Sequence, residues 1–526
     1  MTSRVEKWRS LNEPWDVIVI GGGITGAGIL RKAASLGLKC LLLEKRDFSW
    51  GTSSRSGKLV HGGLRYLKQG QIKTTYQSVS EREKLLRECE GLVDPLGILI
   101  PFYDDDRLGS FVLQAGLTVY DMIAMRRNHR KYDSANVSML APGLRQTGLS
   151  NGLQYYDART DDSRLVLRVL REAEHQGGVA INYAAVEKLT KDQAGEVNGV
   201  VVKDVVTGQM SEVSGKVIVN ATGVWVDQLR KQVGESPKMR PLRGSHLIFP
   251  HWRFPLSQAV SFAHKKDGRY IYAFPWEGVT LVGTTDIDHH QSLDEEPGIS
   301  VEEGKYLFES LDEMFPAYNL KPEDVISTFA GIRPVVDTGK EDPSKESRDH
   351  CVWTEHGLLT VTGGKLTTFD ILAKEAINKV LKVVTPSSTL ATNDLSTDES
   401  KAVDVKCNLN DTISRRLSGR YGHEWSTFAH ELDHSGCELI LDSNTIWAEL
   451  RWAAKYESIV HLDDLLLRRV RLGMILPEGA ISILDRLKVE VQSLLDWDDE
   501  RWDDEVARYK KLWKQGYSPN LLLEVK

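Results

Sequence analysis

Three glycines at fixed spacing are the first residues here that can do chemistry. Gly21, Gly23 and Gly26 fit the pattern G-x-G-x-x-G, with Thr25 inside it. Each has its own task at a dinucleotide. Gly21 permits a tight turn, Gly23 lets a pyrophosphate approach the backbone, and Gly26 lets helix and strand pack closely. The free N–H groups and positive dipole end of the following helix then face the phosphates. Glu44 comes about 20 residues further on, where a carboxylate accepts the ribose hydroxyls. An acid there argues against a 2′-phosphate, although Lys45 and Arg46 next door soften that point.

The glycine motif by itself does not choose between NAD and FAD. Two features favour FAD. The motif occurs once, at the start of a long chain, so the redox carrier has to sit in that one site. Asn220-Ala221-Thr222-Gly223 and Gly363-Gly364-Lys365 are two more close-approach turns, as a long extended dinucleotide needs along its length. Ser53, Ser54, Ser56, Gly57 and Lys58 form a polar stretch whose hydroxyls and N–H groups are expected on the pyrophosphate or the flavin ring. The plainer alternative is an ordinary polar loop.

Two acidic groups invite other readings. Asp286, Asp288, His289 and His290 resemble metal ligands, but neither loop nor helix spacing supports a site, and no metal is expected. Asp161-Asp162 could be a pair of catalytic carboxylates. They are better read as the cap of a helix starting near Ser163, where acids are favoured.

The elements that must position these residues follow from periodicity. DVIVI at 16–20 reads as a fully buried strand. A helix runs from Ile24 to Leu36 and stops at Gly37, and a second strand covers 38–43. This is one βαβ unit. Residues 49–63 read as a functional loop or the start of a helix. Helices are expected over about 71–90, 111–125 and 163–177, with strands near 180–183 and 216–220. Residues 240–290 hold short alternating runs typical of an antiparallel sheet. Residues 357–380 read strand, glycine turn, helix. A polar stretch at 383–405 is the best linker, and 406–526 reads almost entirely helical.

The chain has 526 residues, 41% apolar and 27% charged, with a net charge of −7. That is ordinary for a globular protein of two to four units, and it gives no reason to expect nucleic acid. Five scattered cysteines lack C-x-x-C spacing, so neither a zinc site nor a disulfide scaffold is indicated, and a reducing cytoplasm fits. The N-terminus has no apolar signal core. No run is long and apolar enough to predict a membrane-spanning helix.

At the level of whole strings the chain resembles the FAD-dependent, respiratory glycerol-3-phosphate dehydrogenases. The matching strings are IGGGITGAGI at 20–29, TSSRSGKLVHGGLRYL at 52–67, DDSRLVL at 161–167, NATGVWVD at 220–227, RGSHLIFP at 243–250, VGTTDID at 282–288, GIRPV at 331–335 and TGGKLTTFDILA at 362–373. They stand in family order over roughly residues 15–380. The last 120 or so residues resemble the family's helical cap more loosely.

The resemblance implies an α/β fold: a discontinuous Rossmann-type FAD domain (1–90, 150–230, 325–385), a glycine-oxidase-like mixed or antiparallel-sheet substrate domain (91–149, 231–324) and an all-α C-terminal domain (395–526). It implies oxidation of glycerol 3-phosphate at C2 to dihydroxyacetone phosphate, with electrons passing through FAD to a membrane quinone. A substrate phosphate needs several cations, and arginine clamps its oxygens in a fork. The matched strings offer Arg65, Arg333 and Lys365. Arg348 falls at a further basic position, although Ser347 and His350 depart from the family's Thr and Tyr there. Tyr66 and His246 are placed to hydrogen-bond substrate. A base near neutral pKa fits histidine: His246 first, His61 second, His61 being followed by Gly62 and Gly63. Along the cofactor the resemblance places Thr52, Val186, Thr222, Gly223, Gly364, Leu366 and Thr367, with Lys365 also helping to hold negative charge on reduced flavin.

Quinone lives in lipid, so the resemblance implies a cytoplasmic protein held peripherally on the inner face of the cell membrane. Residues 111–131, apolar and then basic, are the candidate contact; the competing reading is a buried helix with a solvated basic end. A homodimer stays open. So do three other readings: a glycerol-3-phosphate oxidase using oxygen, an amine or amino-acid oxidase on the same fold, and a flavin-binding sensor without turnover.

Overall fold

The structure is a computed structural model that describes residues 4–64, 72–104, 107–124, 129–341, 346, 350–386, 395 and 409–524. Arg65, Tyr66, Arg348, Arg126, Arg127 and nearly all of the 383–405 stretch lie outside the described residues.

Two sheets organise the chain. In the first, the buried strand Trp15–Ile20 is central. It pairs in parallel with Cys40–Leu43 on one side and with Met210–Asn220 on the other. Val179–Ile181 and Leu358–Thr362 extend it, again in parallel. Strands covered on both faces must be apolar throughout, which is what VIVI and CLLL supply. The helices Ile24–Ser35, Asp162–His175 and Phe369–Val380 pack over this sheet in one core, with Val17, Val19, Leu30, Leu42, Val166 and Ala373 inside it. The first of these helices ends as its sequence dictates: Gly37 takes φ +68° and its N–H bonds back to the carbonyl of Ala34.

The second sheet is mostly antiparallel. Met239–Pro250 pairs along its length with Ser327–Val336 and also with Val279–Gly283. The sheet continues through Tyr270–Trp276, Ala259–Ala263, Val93–Tyr103 and Leu149–Thr160 to the short strand Leu59–Val60. Residues 150–160 and 327–336, assigned above to the FAD-binding stretches, therefore run in the second sheet. The 49–63 stretch contains a short 3-10 turn at Thr52–Ser54 followed by that two-residue strand.

The helix read at 111–125 spans Arg107–Ala124. Its basic sequel is not simply a solvated helix end: Arg130 and Lys131 belong to a strand, Arg130–Asp133, paired with Leu149–Thr160. Among the described residues, no helix is long and apolar enough to cross a membrane. From residue 409 to 524 the chain is mostly helical, and its apolar faces pack against the second sheet. Cys40 and Cys89 are buried free thiols, whereas Cys437 is disulfide-bonded, a cross-link that the scattered spacing did not announce.

Candidate active site

The glycine turn does what its spacing requires. Gly21 sits at φ +113°, and a Cβ there would meet the carbonyl oxygen of Ala221 at 2.5 Å. A Cβ on Gly26 would lie 1.9 Å from the Gly21 carbonyl oxygen, so this glycine serves helix–strand contact. Gly23 has an ordinary backbone (φ −81°) and caps the helix that begins at Ile24. Its missing Cβ leaves open space, with only the Ser53 hydroxyl near, at 3.1 Å from where that carbon would be.

Around this turn lies an open cavity of about 1230 Å³ counting its mouth. Its wall contains Gly21, Gly23, Thr25, Glu44, Thr52, Ser53, Ser56, Val186, Thr222, Gly223, Gly364, Lys365 and Leu366. All were named from the sequence. Trp50, Trp225, Gln228, Leu229 and Pro334 also line it and were not; Trp225 stands in the NATGVWVD string and was passed over. Glu44 is half-buried, and its partial removal from water pushes its carboxyl above the ordinary value. Its two oxygens accept from the backbone N–H groups of Gly22 (2.7 Å) and Arg46 (2.8 Å). Each oxygen keeps a lone pair for a ribose hydroxyl.

These residues fit FAD. The helix N-terminus, the Cβ-free approach at Gly23 and the half-buried acid at the second strand's end are arranged along one continuous cavity that runs on to the later turns at 222–223 and 363–364.

Other residues named from the sequence are placed elsewhere. Ser54 and Lys58 are not in the cavity wall. Lys58 is fully buried, and its ammonium donates to both oxygens of Asp162 (2.8 and 2.9 Å) and to the carbonyl of Ser54 (2.7 Å). A cation without water has to take the nearest carboxylate. Gly62 makes room for a neighbour: a Cβ there would lie 1.9 Å from the Tyr120 hydroxyl. Gly63 takes φ +81°. His61 accepts a hydrogen bond at its carbonyl from the Thr367 hydroxyl (3.3 Å). Asp161 does cap its helix, accepting from the N–H of Arg164 at 3.2 Å.

The second sheet brings the chemical candidates together. His246 is directly opposite Phe329 on one neighbouring strand and Gly283 on the other. Directly paired residues share a face, so the His246 ring stacks on Phe329 at 4.4 Å and leans over Gly283, where a Cβ would touch it at 2.1 Å. Tyr272 pairs with Gly283 and joins this row; sequence reading missed it. Two residues along from Phe329 and from His246, period-2 alternation puts Gly331 and Gly244 on that face, followed by Arg333. The Arg333 guanidinium fills the space over Gly244, 2.2 Å from an imagined Cβ. This face abuts the cofactor loop: the Gly331 Cβ position is 2.1 Å from the Arg55 carbonyl oxygen, and the Gly57 position is 3.6 Å from His246 Nε2.

Charge settles the states of this group. Arg333 pairs with Asp286 at 2.7 Å, and Arg269 takes the other oxygen of that carboxylate at 3.0 Å. The metal-like Asp286 is thus a buried anchor for two arginines, and Asp288 pairs with Arg240. His246 is buried, and its Nδ1 has no hydrogen-bond partner among the described residues. Burial, then the Arg333 and Lys58 charges, hold its pKa well below the ordinary 6.5. Lys365 lines the cofactor cavity, with its ammonium 3.5 Å from the Ser78 hydroxyl.

A nucleotide cavity of this form, beside a mixed sheet that presents a neutral imidazole and a fixed guanidinium, defines the class of flavin-dependent oxidoreductases. The family model described as FAD dependent oxidoreductase matches residues 16–369, and that for the C-terminal domain of alpha-glycerophosphate oxidase matches residues 377–502. The aerobic glycerol-3-phosphate dehydrogenase of Staphylococcus haemolyticus is 35% identical over 491 residues, covering 87% of each chain. That of Staphylococcus aureus is 36% identical over 487 residues, again 87% of each. The glycerol-3-phosphate dehydrogenase of Bacillus halodurans, solved with FAD, is 28% identical with a TM-score of 0.77, covering 97% of this chain and 96% of that one. Glycine oxidase from Bacillus cereus, 19% identical at a TM-score of 0.51 and covering 72% of this chain and 100% of that one, shares the fold. The chain belongs to the FAD-dependent glycerol-3-phosphate dehydrogenase family, and its cofactor is FAD.

Proposed function

We propose that the protein oxidises sn-glycerol 3-phosphate at C2 to dihydroxyacetone phosphate and passes the electrons to a membrane quinone. The first sheet and its helices form the cofactor-binding part, the second sheet the substrate part, and residues 395–526 the helical domain. FAD, when bound, supplies the two-electron acceptor for the C2 hydride.

The chain's own groups do the rest. Arg333, held by Asp286, and Lys365 bind the substrate phosphate, joined by Arg65 and Tyr66 from the family strings and by Arg348 at the further basic position. His246 is neutral because burial and two cations disfavour its protonation; that makes it a weak base, sufficient for the C2 hydroxyl proton only as that proton turns acidic with departure of the C2 hydride. His61 is the alternative base. The observation that carries this reading is the orphan Nδ1 of His246: a buried imidazole nitrogen without a partner costs free energy, and it stands on the same sheet face as a fixed arginine, against the cofactor loop.

The acceptor reading rests on an apolar surface. Phe111 is 72% exposed, Val112 57% and Val119 41%, all on the helix Arg107–Ala124. Ile72 and Tyr76 are exposed on the neighbouring helix Ile72–Glu88. An exposed apolar helix face flanked by Arg130 and Lys131 suits the interfacial region of an anionic membrane, which supports contact with the inner face of the cell membrane. Steady-state turnover with glycerol 3-phosphate and a soluble quinone analogue tests the acceptor. Quinone reduction that outpaces hydrogen peroxide formation at least ten-fold is expected; peroxide as the main product would make the protein an oxidase.

A further inference from the structure

The helical domain carries a set of buried arginines that the reaction does not use. The turn Asp464–Arg469 is π-helical, a geometry frequent at functional sites. Its Arg468 and Arg469 both pair with the buried Asp47 (2.5 and 2.6 Å). Asp47 stands three positions after Glu44. Two residues beyond the turn, Arg471 takes the left-handed conformation, φ +63°, which few residues other than glycine adopt without strain. That twist sends its buried guanidinium out of the helical domain. It donates to the Ser54 carbonyl (2.9 Å), to Asp161 (3.0 Å) and to Asp162.

Asp162 is a shared node. Its second oxygen accepts from the N–H of Ser56 (2.9 Å) and from the Ser56 hydroxyl (2.7 Å), and Ser56 is in the wall of the FAD cavity. The helical domain therefore reaches the cofactor's two loops from behind, at 44–47 through Arg468 and Arg469, and at 51–58 through Arg471. Both contacts are buried, bidentate or shared charge pairs, the kind that fix geometry rather than add net stability.

We infer that the C-terminal helical domain is a cofactor-positioning element, in which Arg471, acting through Asp162, holds the 51–58 loop in its FAD-binding form. Arg471 is a positioning residue and touches neither substrate nor FAD. The inference rests on the cavity being that of FAD. It gives the helical domain a task that the oxidation chemistry leaves open.

The test uses full-length holoenzyme and reads FAD release, followed by flavin fluorescence after dilution. Arg471→Lys keeps a cation but loses the fork. It should release FAD at least ten-fold faster, and amide exchange across 51–58 should rise with it. At saturating FAD its KM for substrate should stay within two-fold. Ser56→Ala, a small change on the loop side, deletes one contact to the same carboxylate. It should speed release about three-fold alone and add little to Arg471→Lys. Leu417→Ala weakens the separate small core of the helical domain, which contains Tyr421, Phe428 and Trp452; it should lower Tm yet keep wild-type FAD release. Wild-type release in Ser56→Ala, or in a folded Arg471→Lys, overturns the inference, as does release in Leu417→Ala as fast as in Arg471→Lys. If Arg471→Lys does not fold, Ser56→Ala against Leu417→Ala decides. A wild-type protein that binds no FAD would instead overturn the cofactor reading.

Discussion

His246 and Phe329 face each other across paired strands with their rings 4.4 Å apart and 7° from parallel. The stack removes water from one side of the imidazole, and the strand of Gly283 closes the edge. Burial, then Arg333 and Lys58, keep the ring neutral in the folded protein. The unfolded chain takes up a proton on this histidine near pH 6.5 and the native protein does not. Below that pH the unfolded state binds more protons, so stability that is complete above 6.5 is lost as pH falls toward the depressed native pKa. The slope is at most about 1.4 kcal/mol per pH unit. His246→Asn has nothing to titrate there, and its Tm should fall less steeply than wild type between pH 6.5 and about pH 5. Parallel Tm curves for the two proteins would contradict the buried, neutral assignment.

Gly244 offers a way to move Arg333 without touching it. An alanine Cβ would meet the guanidinium at 2.2 Å and the Thr284 hydroxyl at 2.6 Å. Both are side-chain ends that can swing aside, so the fold survives. Losing one charge-assisted contact is worth about 1.5–3 kcal/mol. Gly244→Ala should therefore raise KM for glycerol 3-phosphate roughly ten- to hundred-fold, with FAD content unchanged. An unaltered KM would remove Arg333 from the phosphate site.

The glycines of the nucleotide turn should separate by function. Gly23→Ala fits an ordinary backbone and meets only Ser53, so the protein without cofactor should melt within a degree or two of wild type. FAD affinity should fall at least ten-fold because the added methyl stands where the pyrophosphate approaches. Gly21→Ala is strained at φ +113° and collides with backbone at Ala221. It should cost about 1–3 kcal/mol even without FAD. Calorimetry of both proteins with and without FAD checks the pair, and equal melting losses in the absence of FAD would refute the division.

Membrane contact is testable at two side chains. Phe111→Asp with Val112→Asp replaces exposed apolar groups by charge, which costs the folded monomer little. Co-sedimentation with anionic phospholipid vesicles should drop by more than half while activity toward a soluble acceptor persists. Unchanged sedimentation would leave that helix without a role at the membrane.

How much was legible in the sequence follows from range. The Gly21–Gly26 turn, Glu44 and the bordering strands could be read because their geometry is set within about 30 residues, a single βαβ unit. The direction of Lys58 could not, since it is decided by Asp162, 104 positions away. Asp286 looked like a metal ligand because its partners, Arg269 and Arg333, reach it only through folding of the second sheet. Tyr272 was invisible for the same reason: it joins His246 through register across three strands. That 150–160 and 327–336 run in the second sheet has this cause too. A strand's own alternation announces that it is a strand, and its partner is chosen by chain far away.

The most direct measurement is an anaerobic absorbance titration of purified, FAD-loaded protein. The oxidised flavin band should bleach on adding glycerol 3-phosphate, with one product ketone formed per flavin reduced, and stay unchanged with glycerol or with sarcosine. A band that ignores glycerol 3-phosphate, or that bleaches equally with glycerol, would contradict an anion-clamped alcohol oxidation at this site.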